Sequence, residues 1–121
     1  MGKLTTHVLD TASGAPAAGM TIELSVLEGP GWKKLKSLRT NADGRTDAPL
    51  LEGAALAKGQ YRLVFDVAAY YRSQGGSQGA TLPEPPFLDR VPLRFGVADP
   101  ALHYHVPLLC SPWGYTTYRG S

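Results

Sequence analysis

The sequence has almost no sulfur chemistry to offer. One cysteine, Cys110, in 121 residues excludes an intrachain disulfide and accords with a reducing compartment. Long apolar runs are missing too: nothing approaches the ~20 residues that a membrane-spanning helix needs. Charge of either sign is scarce. Twelve Lys and Arg against ten Asp and Glu leave a formal net charge of +2, too little to argue for a nucleic-acid partner. The only local concentration, Lys33, Lys34, Lys36 and Arg39, reads as a solvated edge strand blunted by cations. No secretory leader is expected, because strand-like sequence begins by Leu4. Met1 to Thr6 fits a loose myristoylation pattern, but Thr5 and Thr6 belong to that strand. The terminal Arg-Gly-Ser is not the Ser-Lys-Leu peroxisomal address. The expected location is cytoplasmic, with periplasm or peroxisome open to a chain whose targeting segment has been trimmed.

What is plentiful is punctuation. Fourteen glycines and ten prolines imply many turns, hence a β-rich architecture. The length suits a single domain over residues 1–121. Apolar and polar residues alternate with period two in most of the segments between turns. Leu4, Thr6 and Val8 share one face of a first strand, with Thr5, His7 and Leu9 on the other. Residues 11–19 form a loop of small residues. Ile22, Leu24 and Val26 alternate through a strand over 21–28, and a charged third strand runs over 32–40. Asn41-Ala42-Asp43-Gly44 is a turn, because Asp-Gly tolerates positive φ. Arg45 opens a short fourth strand toward Leu50, with 51–58 less regular. Strands follow over 60–67 and 90–97. Between them, residues 68–74 suit a short helix ended by Gly75-Gly76, and residues 77–86 form a loop. A strand over 102–109 contains Pro107, which implies an edge or a bulge. Trp113-Gly114 makes the last turn, into a strand over 115–118. About eight short strands and one helix predict an all-β antiparallel sandwich.

Few groups are chemically able. All three histidines fall on expected strands, and His103 and His105, two apart, point the same way. A strand-borne His-x-His pair with His7 as a third ligand is one way to hold zinc with an open position, though the spacing is only permissive. The plainer reading is histidines that satisfy hydrogen bonds, and it suits His103. Arg45 alone would be an ordinary surface residue. Tyr118-Arg119-Gly120-Ser121, however, closes the chain with a phenol, a guanidinium, a glycine and a hydroxyl, where termini usually become small and dispensable.

His105-Val106-Pro107-Leu108-Leu109, Ser111-Pro112 and the terminal Thr117-Tyr118-Arg119-Gly120-Ser121 together resemble the 5-hydroxyisourate hydrolases, the transthyretin-like enzymes of urate breakdown. Thr6-His7-Val8-Leu9-Asp10 and Asp43-Gly44-Arg45-Thr46 match the same family, so the resemblance spans nearly the whole chain. It implies a transthyretin-like sandwich and a homotetramer, a dimer of dimers around a central channel. It implies hydrolysis of the cyclic amide of 5-hydroxyisourate to 2-oxo-4-hydroxy-4-carboxy-5-ureidoimidazoline, without metal or organic cofactor. It also implies a site made of His7, Arg45, His105 and Ser121, with Tyr118, Arg119 and Gly120 at the substrate. Histidine suits a proton acceptor near neutral pH. Arginine offers a rigid fork of donors to an oxygen-rich, acidic ring or to a tetrahedral oxyanion. Either histidine can be the base; His7 is preferred, with His105 as its partner and Ser121 orienting water or substrate. Gly120 is expected to let the backbone bend toward the site. The resemblance leaves a second reading, a small-molecule carrier of the same fold. Beyond it lie a structural sandwich module and a zinc hydrolase.

Overall fold

Alternation in the sequence becomes burial in the first strand. In β1 (Lys3–Asp10) every second side chain, Leu4, Thr6, Val8 and Asp10, is buried, and those between are half-exposed. The computed structural model describes residues 1–74 and 82–120, and among these the chain forms nine strands and one α-helix. The remaining strands are β2 (Ala15–Pro16), β3 (Thr21–Glu28), β4 (Gly31–Arg39), β5 (Leu51–Glu52), β6 (Gly59–Asp66), β7 (Arg90–Val97), β8 (His103–Cys110) and β9 (Tyr115–Thr117). Helix α1 (Val67–Gln74) follows β6 directly. The expected stop at Gly75-Gly76 lies outside the described residues.

Two sheets pack face to face. One has the order β2-β1-β8-β9, with β5 also pairing to β1, and the other the order β4-β3-β6-β7. Between them lie Leu4, Val8, Met20, Ile22, Leu63 and Phe65, all fully buried. The lysine-rich β4 is an edge strand, as its charge predicts. Among the described residues all strand pairings are antiparallel but one: β1 and β8 run parallel, with Thr5 opposite His105 and His7 opposite Pro107. This pairing sets residues about a hundred positions apart side by side, on a face turned away from the core.

Three local expectations need correction. The loop over 11–19 contains the two-residue β2, which pairs with Leu9 and Asp10. The strand expected from Arg45 to Leu50 does not form. Arg45 makes a single bridge to His7, and regular pairing resumes only at β5. Two features divert this segment from a ladder. The Asn41 side-chain oxygen accepts from the N–H groups of Asp43 (2.9 Å) and Arg45 (3.2 Å), and Pro49 has no N–H to donate. Finally, β8 is not an edge strand, and Pro107 instead falls where its ladder with β9 stops, one residue past Leu108↔Thr117. It lies inside β8, between β1 and the line of β9.

Candidate active site

Two glycines bring the chemically able groups to the outer face of the β1–β8 pair. Gly44 closes the Asn41–Gly44 turn with φ +74°, a conformation open to glycine, and a Cβ there would lie 2.4 Å from the Val8 carbonyl oxygen. The close approach is sealed by the Val8 N–H donating to the Gly44 carbonyl at 2.8 Å. Arg45 is thereby laid against His7 on β1.

Gly120 does the same for the end of the chain. Its N–H donates to the His105 carbonyl at 2.7 Å, continuing the β8–β9 register across a gap at Pro107 and Val106. Pro107 has the same strand parity as His105, so the N–H it lacks is one that would face β9. Thr117 Oγ1 donates to the Pro107 carbonyl at 2.7 Å instead. A Cβ on Gly120 would lie 2.7 Å from His105 Cδ2. The expected hinge is therefore better described as a close approach: backbone lies directly against the imidazole, and only a hydrogen fits.

The His105 ring is held on its other side as well. Nδ1 lies 2.8 Å from Thr5 Oγ1, a contact between directly opposed residues of β1 and β8. Burial, then the positive charge of Arg45, then that of His7, push the His105 pKa below its ordinary 6.5. At neutral pH His105 is therefore uncharged and able to accept a proton. His105, Thr5, Arg45, Thr46 and Asp47 line an open cavity of about 440 Å³.

The remaining sequence candidates distribute unevenly. Tyr118, 60% exposed, lines an adjoining groove with His103, His105 and Gly120. Arg119 lines the same groove. Its guanidinium lies 4.5 Å from the Tyr104 ring centroid, a cation–π contact, and donates to the His103 carbonyl at 3.1 Å. Ser121 lies outside the described residues. His103 is exposed, and its ring has no hydrogen bond among the described residues, so it is not the satisfied structural histidine expected. No three His, Cys, Asp or Glu side chains gather into a metal-binding group among the described residues. The register explains why for the histidines: His103 pairs with Lys3 and His7 with Pro107, roughly 13 Å apart along the strands at about 3.3 Å per residue.

Sequence reasoning passed over Thr5 and Asn41. Thr5 was one of many threonines on strands, and only the parallel β1–β8 register reveals its partner. Asn41 was legible as part of a turn, but not as the residue that holds Arg45 in place.

A profile of the HIUase/Transthyretin family matches residues 4–120. A protein of Rhizobium meliloti (strain 1021) named 5-hydroxyisourate hydrolase 2 is 58% identical over 120 residues, which cover 99% of this chain and 97% of that one. The structure of Klebsiella pneumoniae 5-hydroxyisourate hydrolase superposes with a TM-score of 0.79 at 36% identity, covering 100% of both chains. Sea bream transthyretin in complex with thyroxine superposes with a TM-score of 0.83 at 28% identity, covering 98% of this chain and 94% of that one.

Proposed function

The chain belongs to the HIUase/Transthyretin family, and from that premise we propose that it is a 5-hydroxyisourate hydrolase acting in urate degradation. The observation that carries this reading is the shared outer face of β1 and β8, where Arg45 and His105 line one cavity and His7 is bridged to Arg45. The similarity to relatives bearing that name supports it.

In the proposed chemistry His105 takes a proton from water as the water oxygen attacks the carbonyl carbon of the cyclic amide. The carbonyl oxygen becomes an oxyanion, stabilised by the Arg45 guanidinium. Collapse breaks the bond from that carbon to the ring nitrogen, which receives the proton from His105, and leaves an opened ureido arm and a carboxylic acid that gives up its remaining proton to solvent at neutral pH. This assigns the base to His105 rather than to His7. Its support is the Thr5 contact, which holds the ring, and the depressed pKa, which keeps it unprotonated. His7, held beside Arg45, contributes polarity to the same face. Tyr118 and Gly120 wall the adjoining groove, and Ser121, next in sequence to Gly120, orients water or substrate. No step calls on a metal or an organic cofactor.

The proposed assembly is a homotetramer, two edge-paired dimers stacked so that the outer faces of the β1–β8 sheets line a channel. The free edges β7 and β9 and the exposed Tyr115 and Tyr118 support it. The carrier reading predicts binding without turnover. Freshly generated 5-hydroxyisourate, followed by its ultraviolet absorbance, separates the two. A hydrolase speeds its decay above the spontaneous rate in proportion to protein concentration, whereas a carrier leaves the decay unchanged or slows it.

A further inference from the structure

Resting on the hydrolase reading, we propose that Thr5 is a positioning residue: its hydroxyl accepts the Nδ1–H of His105, fixing the imidazole in the tautomer whose free Nε2 faces the cavity. Three observations converge on it. The parallel register sets Thr5 and His105 directly opposite on the same face. The Oγ1–Nδ1 distance is 2.8 Å. Gly120 backbone occupies the Cδ2 side of the ring, so the imidazole cannot swing away from Thr5 in that direction. Nε2 has no protein partner among the described residues, as a nitrogen reserved for water or substrate must.

The direction of the hydrogen bond follows from the proton cycle. When His105 takes up a proton both ring nitrogens carry hydrogen, and Thr5 can then only accept. The tautomer that keeps this contact unchanged through the cycle is the one with hydrogen already on Nδ1. If Nε2 carried the hydrogen instead, the base would have no lone pair toward the cavity, and the hydroxyl would have to reverse at each turnover. The partner of a histidine's second nitrogen sets which nitrogen works.

A hydroxyl also differs in kind from the carboxylate often found in this role. A carboxylate would stabilise the imidazolium and raise the pKa of the ring. Thr5 orients without charge, and Arg45 and His7 push the other way. Lys3 and Asp47 also border the cavity, one of each sign. The result is a weakly basic, rigidly aimed imidazole that returns its proton readily to the departing nitrogen.

Thr5→Val keeps the branched shape and the strand propensity while removing the hydroxyl. It should lower kcat by roughly 10- to 100-fold and leave KM within about twofold, while Thr5→Ser should retain most of the wild-type kcat. Nitrogen-15 NMR of histidine-labelled protein supplies a readout independent of turnover. Wild-type His105 should carry hydrogen on Nδ1 and a bare Nε2 at neutral pH, and Thr5→Val should shift it toward the opposite tautomer. A wild-type His105 protonated on Nε2 would overturn the proposal even in an active hydrolase, and so would Thr5→Val turning over like wild type. A wild-type protein with the stated tautomer but no activity would refute the hydrolase reading and leave the Thr5 geometry standing. If Thr5→Val fails to fold, the wild-type NMR spectrum and Thr5→Ser kinetics decide alone.

Discussion

Gly120 has no room for a methyl group. Its Cβ would meet His105 at 2.7 Å from Cδ2 and 3.2 Å from Cβ, so Gly120→Ala must push the imidazole off Thr5 or lift the chain end off β8. We expect kcat to fall at least about tenfold, since small misplacements of a catalytic group are costly, with little change in melting temperature. Unchanged turnover would show that the ring does not depend on that contact. The depressed His105 pKa makes a second prediction. Because the folded chain binds this proton less tightly than an unfolded one, the neutral base persists below the ordinary 6.5. The acid limb of a kcat/KM profile should therefore have its midpoint below 6.5, and a midpoint above it would argue against His105 as the base. The sign for stability agrees: the contribution is complete above 6.5 and declines as pH falls from there through the folded value. Most of the candidate site was legible at the residue scale, because His7, Arg45, His105 and Gly120 stand in motifs. Thr5 was not, because the feature that selects it is a contact across about a hundred residues.

Helix α1 is tied to the sheet that carries the site by a buried carboxylate. Asp10, the last residue of β1 and 2% exposed, accepts the O–H of Tyr70 (2.9 Å) and of Tyr71 (2.6 Å). Tyr71 also lies 2.8 Å from the Cys110 carbonyl at the end of β8. Burial pushes the Asp10 carboxyl upward, but the donors Tyr71, Tyr70 and Ser13 outweigh it and hold it below its ordinary 3.8. That stabilisation is present above 3.8 and is lost as pH falls through the lower folded value. Tyr71→Phe removes one hydrogen bond to a buried carboxylate that keeps the N–H groups of Ala12 and Ser13 as donors, and should cost about 1.5–3 kcal/mol, read by urea unfolding at neutral pH, with turnover of the folded fraction retained. A loss near zero would show that the tyrosine only fills space. Cys110 is raised to about 11, by burial and then by the Asp10 charge, so its thiol is a structural neighbour of this network and not a nucleophile. The long alternating strands were legible as elements because burial follows their period. The segment from Arg45 to Leu50 was not, because Asn41 overrides its propensity through side-chain hydrogen bonds and Pro49 removes a donor.

At the scale of the molecule, the sandwich leaves the sheet face that carries the candidate site open. A cavity bordered by a single β-sheet face excludes water poorly, and the proposed tetramer closes it with a second copy. Specific activity should accordingly fall as the protein is diluted through its assembly range, in step with the sedimentation coefficient; full turnover by a sedimenting monomer would contradict this. Fold class was readable from turn density and alternation. The one parallel pair, β1 with β8, was not, since alternation states which faces are buried and is silent about which strands meet. That pair is what unites His7 and Arg45 with His105. The most direct measurement is therefore a double-mutant cycle on 5-hydroxyisourate turnover, comparing Arg45→Met, His105→Ala and the combined variant, each checked for native circular dichroism. The account predicts that each single change lowers kcat/KM by roughly 100-fold or more and that the double variant is much less impaired than the product of the two, as groups acting as one unit are. Near-wild-type turnover in either single variant, or losses that simply multiply, would contradict it.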